Sequence, residues 1–166
     1  MAAHLIREIE EKDDKELEKL IRDCLIEFGA DHEGTAWEDE MLGKLSFVYG
    51  KEKERYWIAL DERGEILAGA GIGGLQGVEG VCELQKMYCR KDARGSGVSH
   101  QLMDRALDFA SEYYQMCYLE TLENMTAARR FYEKYGFERI YHSLGDTGHD
   151  SCDVRYLLDL NKRKEL

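Results

Sequence analysis

The chain lacks proline altogether and has no uninterrupted apolar run of membrane-spanning length. With 43% hydrophobic and 34% charged residues, this composition excludes collagen-like, disordered and membrane classes and leaves a globular α/β or α+β protein. An excess of basic charge is also missing: 23 Lys and Arg against 34 Asp and Glu leave a net charge of −11. Whole-surface binding to nucleic acid or to an anionic membrane is therefore disfavoured, and a cationic acceptor is mildly favoured. Met1 to Glu10 contains no basic segment followed by an apolar one, so the expected location is the cytoplasm. A disulfide framework is absent too. The five cysteines stand at 24, 82, 89, 117 and 152, an odd number set mostly within apolar patterns, and read as reduced buried thiols. No repeat, linker or low-complexity stretch divides the 166 residues, so one domain spanning 1–166 is expected.

What is present alternates strand and helix patterns. Leu5 to Ile9 alternates weakly, as a first strand would. Asp13 and Asp14 can cap a helix whose stripe is Leu17, Leu20, Ile21, Cys24, Leu25 and Phe28, with Gly29 as terminator. Thr35 and Glu38 form a capping-box pattern ahead of Trp37, Met41, Leu45 and Val48, which predicts a second helix. Tyr56 to Leu60 and Ile66 to Gly74 read as strands joined by the "DERGE" turn; glycines at 69, 71, 73 and 74 permit bulges or close contact in the second. Cys117 to Leu122 reads as another strand. Asn124 can cap a helix through Tyr135, which Gly136 would end, and strand-like runs Phe137 to Leu144 and Asp153 to Leu160 flank the polar "GDTGHDS". A mixed sheet flanked by helices follows from this order.

The informative stretch runs from Val81 to Tyr114. Apolar residues fall at Cys82 and Leu84, then at Met87 and Cys89, so the period-two alternation slips by one, as a β-bulge would make it. Then comes "RKDARGSG", and a helix with the stripe Val98, Leu102, Ala106, Phe109 or Ala110, and Tyr113. A strand, a glycine turn and a helix N-terminus make an anion cradle, because first-turn N–H groups lack intrahelical partners and face the positive end of the helix dipole. A phosphate would sit at Arg94 to Ser99. With Cys117 to Leu122 as the next, parallel strand, this is a βαβ unit whose crevice can hold the rest of the ligand. Neither the three-glycine dinucleotide fingerprint nor a Walker A lysine is present, since Gly95 and Gly97 are followed by His100.

These residues resemble the GNAT superfamily of acyl-CoA-dependent N-acetyltransferases. The signature Arg or Gln, two residues, Gly, one residue, Gly or Ala matches Arg94 and Gly97, with Ser99 as a small departure. A second hallmark, Ala, then Tyr four residues on, then Gly-Phe, matches Ala128, Tyr132 and Tyr135 to Phe137. The family's frequent asparagine falls on Met125, with Asn124 one residue away, and Lys91 stands where many members have proline.

The resemblance implies a mixed, mostly antiparallel central sheet flanked by helices, with one βαβ unit forming the coenzyme A site. It implies acetyl-CoA as cosubstrate, its pyrophosphate on the backbone of Arg94, Gly95, Ser96, Gly97, Val98 and Ser99. Its pantetheine arm would lie against Met87 and Cys89, with the Tyr88 N–H as an oxyanion-type donor. It gives Tyr132 the role of protonating the departing thiolate, which suits a phenol with an ordinary pKa near 10. For the base it leaves Glu83, Glu120 or a water open. Cys89 reads as a packed side chain rather than a nucleophile. The implied reaction is transfer of acetyl to a primary amine of a small molecule in a ternary complex. A protein amine, or a non-catalytic acyl-CoA sensor, is the alternative. The acceptor pocket is expected between "GADHEG" with Trp37 and the late loop "GDTGHDS". No metal is expected from His142, His149 and Cys152, too few ligands at recognised spacing. Arg129 and Arg130 could screen cofactor phosphates or simply face solvent. Association into a homodimer is left open.

Overall fold

Seven strands in the order β1-β2-β3-β4-β5-β7-β6 form one sheet in the computed structural model, which describes residues 4–145 and 152–164. They are β1 (Leu5–Glu8), β2 (Arg55–Leu60), β3 (Ile66–Gly74), β4 (Val81–Cys89), β5 (Met116–Thr121), β6 (Glu138–Ile140) and β7 (Val154–Asp159). Four helices accompany them: α1 (Asp14–Glu27), the single turn α2 (Leu45–Val48), α3 (Val98–Tyr113) and α4 (Thr126–Lys134). All strand neighbours are antiparallel except β4 and β5, which α3 joins in parallel. The expected mixed sheet and its one βαβ unit are therefore both present.

Each face of the sheet carries its own apolar layer. Leu17, Leu20, Ile21, Cys24 and Leu25 of α1 pack with Tyr56, Ile58, Leu60 and Ile66 on one face. On the other, Val98, Leu102, Met103, Ala106, Leu107 and Ala110 of α3 cover Trp57, Ala70, Ile72, Cys82 and Leu84, and Tyr132, Tyr135 and Phe137 extend that layer. The α3 stripe is wider than four-residue spacing alone indicated. Tyr113 is only half-buried, and Phe109 lies edge-on to Trp57 with ring centroids 5.3 Å apart.

The glycines of β3 make room for side chains lying across its α1-facing surface. A Cβ on Gly69 would stand 2.5 Å from the Tyr56 hydroxyl, one on Gly71 2.6 Å from the Tyr56 ring and 3.0 Å from Tyr49, and one on Gly73 2.6 Å from Gln85 Oε1. Side chains of ordinary size at these three positions would displace Tyr56, Tyr49 and Gln85.

Three elements differ from expectation. The second helix does not form as one piece: 3₁₀ turns at Ala36–Glu38 and Leu42–Lys44 precede α2, and Asp39 between them is extended (φ −64°, ψ 114°). The Thr35 hydroxyl donates to the Ala30 and His32 carbonyls and accepts from the Trp37 N–H, so tertiary bonding bends the segment despite its helical spacing. Asn124 does not cap α4; its amide donates to the Phe28 carbonyl at 2.9 Å, and Met125 holds the N-cap position. The late strand runs only from Glu138 to Ile140, and Tyr141 is fully out in solvent. Residues 146–151, most of the "GDTGHDS" loop with His149, lie outside the described residues.

Candidate active site

β4 and β5 run side by side only at their beginnings. Their ladder covers Val81, Cys82 and Glu83 against Met116, Cys117 and Tyr118, whereas β4 continues to Cys89 and β5 to Thr121. Beyond Glu83 the strands part, and a slot opens between them. The cause on the β4 side is the bulge. Gly69 faces Tyr88 and Gly71 faces Gln85, so Ala70 opposes both Lys86 and Met87. Because of it, Cys82, Leu84, Met87 and Cys89 all reach the α3 layer, while Tyr88 packs with the α1 layer.

Lys86 occupies the bulge at φ 48°, the single non-glycine with a positive φ among the described residues. Such a conformation costs on the order of 1–3 kcal/mol and needs support from its surroundings. Here the Tyr56 hydroxyl donates to the Lys86 carbonyl at 2.7 Å, and the ammonium pairs with Asp39 at 2.6 Å.

At the far end of β4 the chain turns through Gly95 and Gly97, both left-handed at φ 81° and 88°, into α3. No side chain of the described residues caps this helix. The N–H groups of Val98, Ser99 and His100 therefore point outward from a positive helix end. Arg94 is engaged elsewhere: its guanidinium holds both Glu27 oxygens at 2.6 and 2.8 Å, bonds the Cys89 carbonyl, and lies over the Phe28 ring. The Ser96 hydroxyl donates to the Ala93 carbonyl, tightening the turn.

A cleft of about 570 Å³ runs from this turn to Tyr132, walled among others by Phe28, Met87, Cys89, Val98, Met125 and Phe131. That volume is in the range of small-molecule sites. A second cavity of about 140 Å³ is walled by Asp39, Glu83, Glu120, Thr121 and Cys152 among others. Met87, Tyr88, Met125 and Tyr132 belong to both walls, so the two spaces meet at the bulge.

The groups at this junction are mostly neutral. Burial, with Tyr156 nearby, pushes the Tyr132 hydroxyl up to about 12; Tyr88 is pushed up further by its burial. Burial and then Glu120 raise the Cys152 thiol to about 12, and burial raises Cys89 against the opposing pull of Ser99, so both are poor nucleophiles. The carboxylates are held differently. Glu83 Oε1 accepts from Gln85 Nε2 at 2.7 Å, whereas Glu120 Oε2 accepts from the Tyr118 hydroxyl at 2.6 Å and has Arg155 at 3.8 Å.

Residues 52–139 match a family model described as an acetyltransferase (GNAT) domain. Over 159 residues the chain is 36% identical to the uncharacterized N-acetyltransferase YjgM of Escherichia coli (strain K12), covering 94% of this chain and 95% of that protein. The chain belongs to the GNAT superfamily of N-acetyltransferases. Solved structures agree on the fold. An acetyltransferase from Streptococcus agalactiae superposes with a TM-score of 0.81 at 23% identity, covering 96% of this chain and 99% of that one. The PaiA N-acetyltransferase from Thermoplasma acidophilum, in complex with coenzyme A, gives 0.72 at 13% identity, covering 95% and 99%.

In this acetyltransferase the residues singled out from the sequence gather around one slot, except Ser96, which is turned to the Ala93 carbonyl and lines neither cavity. Met87, Tyr88, Cys89, Arg94, Gly95, Gly97, Val98 and Ser99 line the larger cleft, Glu83 and Glu120 the smaller cavity, and Tyr132 both. Other expectations shift. The smaller cavity is walled by Leu25, Ala36 and Asp39 rather than by Trp37, whose ring lies 4.7 Å from the Arg22 guanidinium, while Asn124 and Met125 both line the larger cleft and Met125 also reaches the smaller. Arg129 is bonded to Glu123 and to the Tyr156 hydroxyl, and Arg130 is exposed, so neither stands on the cleft wall of the acetyltransferase. Sequence reasoning missed Lys86, Asp39, Thr121 and His100. The glycines at 69, 71 and 73 were the available signal for what crowds β3, yet only contacts distant in sequence identify Tyr56, Tyr49 and Gln85 as the occupants.

Proposed function

We propose that the enzyme transfers an acetyl group from acetyl-CoA to the primary amine of a small, cationic molecule bound together with it. The carrying observation is the meeting of a long cleft and a small acidic cavity at Met87, Tyr88, Met125 and Tyr132. The long cleft fits coenzyme A. Its outer end offers the uncapped N-terminus of α3, suited to a pyrophosphate, and one side offers the edge of β4 that β5 leaves unpaired, suited to an extended amide-bearing arm. The relative from Thermoplasma acidophilum, solved with coenzyme A, supports this assignment.

Acetyl-CoA, when bound, supplies a thioester carbonyl open to attack by an amine. The backbone N–H groups of Gly97, Val98 and Ser99 hold phosphate oxygens, and the backbone of Met87 and Cys89 aligns the arm. The Tyr88 N–H, beside the bulge, hydrogen-bonds the carbonyl oxygen as negative charge develops on it. Glu83 takes a proton from the acceptor ammonium, directly or through water, and the neutral amine so formed attacks the carbonyl. Tyr132 gives its phenolic proton to the departing sulfur and is reprotonated by the second proton that the nitrogen releases as the amide forms. Asp39, Glu83 and Glu120, with Lys86 the single cation on the same wall among the described residues, favour a cationic acceptor, and a cavity of about 140 Å³ favours a small one over a protein side chain on a bulky surface. Five free thiols support a reducing compartment, the cytoplasm.

Thiol release from acetyl-CoA, followed over a panel of small primary amines with mass-spectrometric detection of the acetylated product, tests this reading. Turnover with at least one small amine, well above the rate without amine, is expected. Tight binding of acetyl-CoA with no transfer to any amine, small or on a protein, would instead identify an acyl-CoA sensor.

A further inference from the structure

A hydrogen-bonded chain on the α1-facing surface of β3 ends at the Glu83 carboxylate. The Tyr49 hydroxyl donates to Gln85 Oε1 at 2.5 Å, and Gln85 Nε2 donates to Glu83 Oε1 at 2.7 Å. Tyr49 is fully buried just after α2, so its hydroxyl stays protonated and acts as donor. With the amide oxygen committed to Tyr49, the amide N–H₂ must face Glu83. The space for the chain is built into β3: a Cβ on Gly73 would stand 2.6 Å from Gln85 Oε1, and one on Gly71 3.0 Å from Tyr49. Two elements distant in sequence, α2 and β3, are thus shaped around one amide.

We infer that Gln85 and Tyr49 are positioning residues, holding the Glu83 carboxylate in the orientation that lets it accept the acceptor's proton. This rests on the reading of Glu83 as the base. A donor on one carboxylate oxygen restricts rotation of the group and fixes its orientation on the wall of the smaller cavity. Neither residue touches the acceptor's reacting atoms in this account, and their effect passes entirely through Glu83.

That dependence is measurable. Gln85→Leu and Tyr49→Phe, alone and combined, are assayed for kcat and for KM of acetyl-CoA, with propylamine as acceptor, in wild-type and Glu83→Gln backgrounds. Gln85→Leu should lower kcat roughly tenfold, in line with other residues that orient a functional ligand, and leave the acetyl-CoA KM within about twofold. Tyr49→Phe should lower kcat less, and the double variant should be no worse than Gln85→Leu, because Tyr49 acts through Gln85. In the Glu83→Gln background neither substitution should lower kcat further. Unchanged kcat in Gln85→Leu, or losses that multiply on top of Glu83→Gln, would overturn the inference while leaving the base assignment standing. If Glu83→Gln itself retains wild-type kcat, the base assignment falls and the inference with it. Independently of any acceptor, the side-chain amide signal of Gln85 in ¹⁵N-labelled protein, assigned by its loss in Gln85→Leu, should move in both Tyr49→Phe and Glu83→Gln. A signal indifferent to both would mean that the chain of bonds does not exist in solution.

Discussion

Replacing Tyr132 by Phe is expected to lower kcat about 10²- to 10³-fold while leaving the acetyl-CoA KM within about twofold, the signature of a group needed in the transition state rather than in binding. The ring is retained, and with it the packing against Phe131, Phe137 and Tyr156, whose centroids lie 5.9, 6.0 and 6.2 Å away. Only the proton donor is lost. The variant should therefore melt close to the wild type, and a thermal melt alongside the kinetics separates lost chemistry from lost fold. The pH behaviour carries a sign. Burial, then Tyr156, raises the Tyr132 hydroxyl from its ordinary value to about 12, because an apolar surrounding disfavours the phenolate. The protonated, donating form thus persists through neutral and moderately alkaline conditions, and Tyr132 loses its proton only as pH rises toward that value. Wild-type kcat should accordingly show no decline attributable to this group between neutral pH and about pH 10. Retention of kcat within twofold in Tyr132→Phe would remove Tyr132 from the reaction.

Glu83→Gln is expected to cost about 10²-fold in kcat, with acetyl-CoA binding unchanged, because an acceptor amine arriving as an ammonium must lose a proton before it can attack. Glu120 on the neighbouring strand makes the informative control. One of its oxygens is already held by the Tyr118 hydroxyl and stands 3.8 Å from Arg155, so that carboxylate is tied to structural partners, whereas Glu83 accepts from the Gln85 amide. Glu120→Gln should therefore lose less than tenfold. The reverse ranking would move the base to β5. Near-wild-type rates in both variants would leave the task to water. Steady-state thiol release, with calorimetric titration of acetyl-CoA into each variant, reads the two quantities separately.

Much of this site was legible in the sequence, for local reasons. The bulge shows as two apolar pairs, Cys82 with Leu84 and Met87 with Cys89, that keep one face only if a residue is inserted between them. The anion cradle shows because Gly95 and Gly97 adopt backbone angles that other residues rarely do. What was not legible depends on partners far along the chain. Trp37, Met41, Leu45 and Val48 carry helical spacing, yet Asp39 among them is extended and its carboxylate bonds Lys86 at 2.6 Å, so a tertiary ion pair accompanies a break that propensity does not foretell. Asn124 has the right chemistry and place for a helix cap, but the Phe28 carbonyl, distant in sequence, claims its amide. Gln85 is unremarkable in sequence; its role emerges only when Tyr49, Glu83 and the empty surface of Gly73 are brought around it.

Acetyl-CoA is the proposed occupant of the slot between β4 and β5. A thermal-shift comparison of acetyl-CoA, coenzyme A and NAD tests it most directly. A ligand at about 100 times its dissociation constant stabilises the native state by roughly 2.7 kcal/mol, which for a chain of this size raises Tm by about 5–10 °C. Acetyl-CoA and coenzyme A are predicted to give such a rise and NAD none; a flat response to both coenzyme A species, or an equal response to NAD, would rule out this occupant.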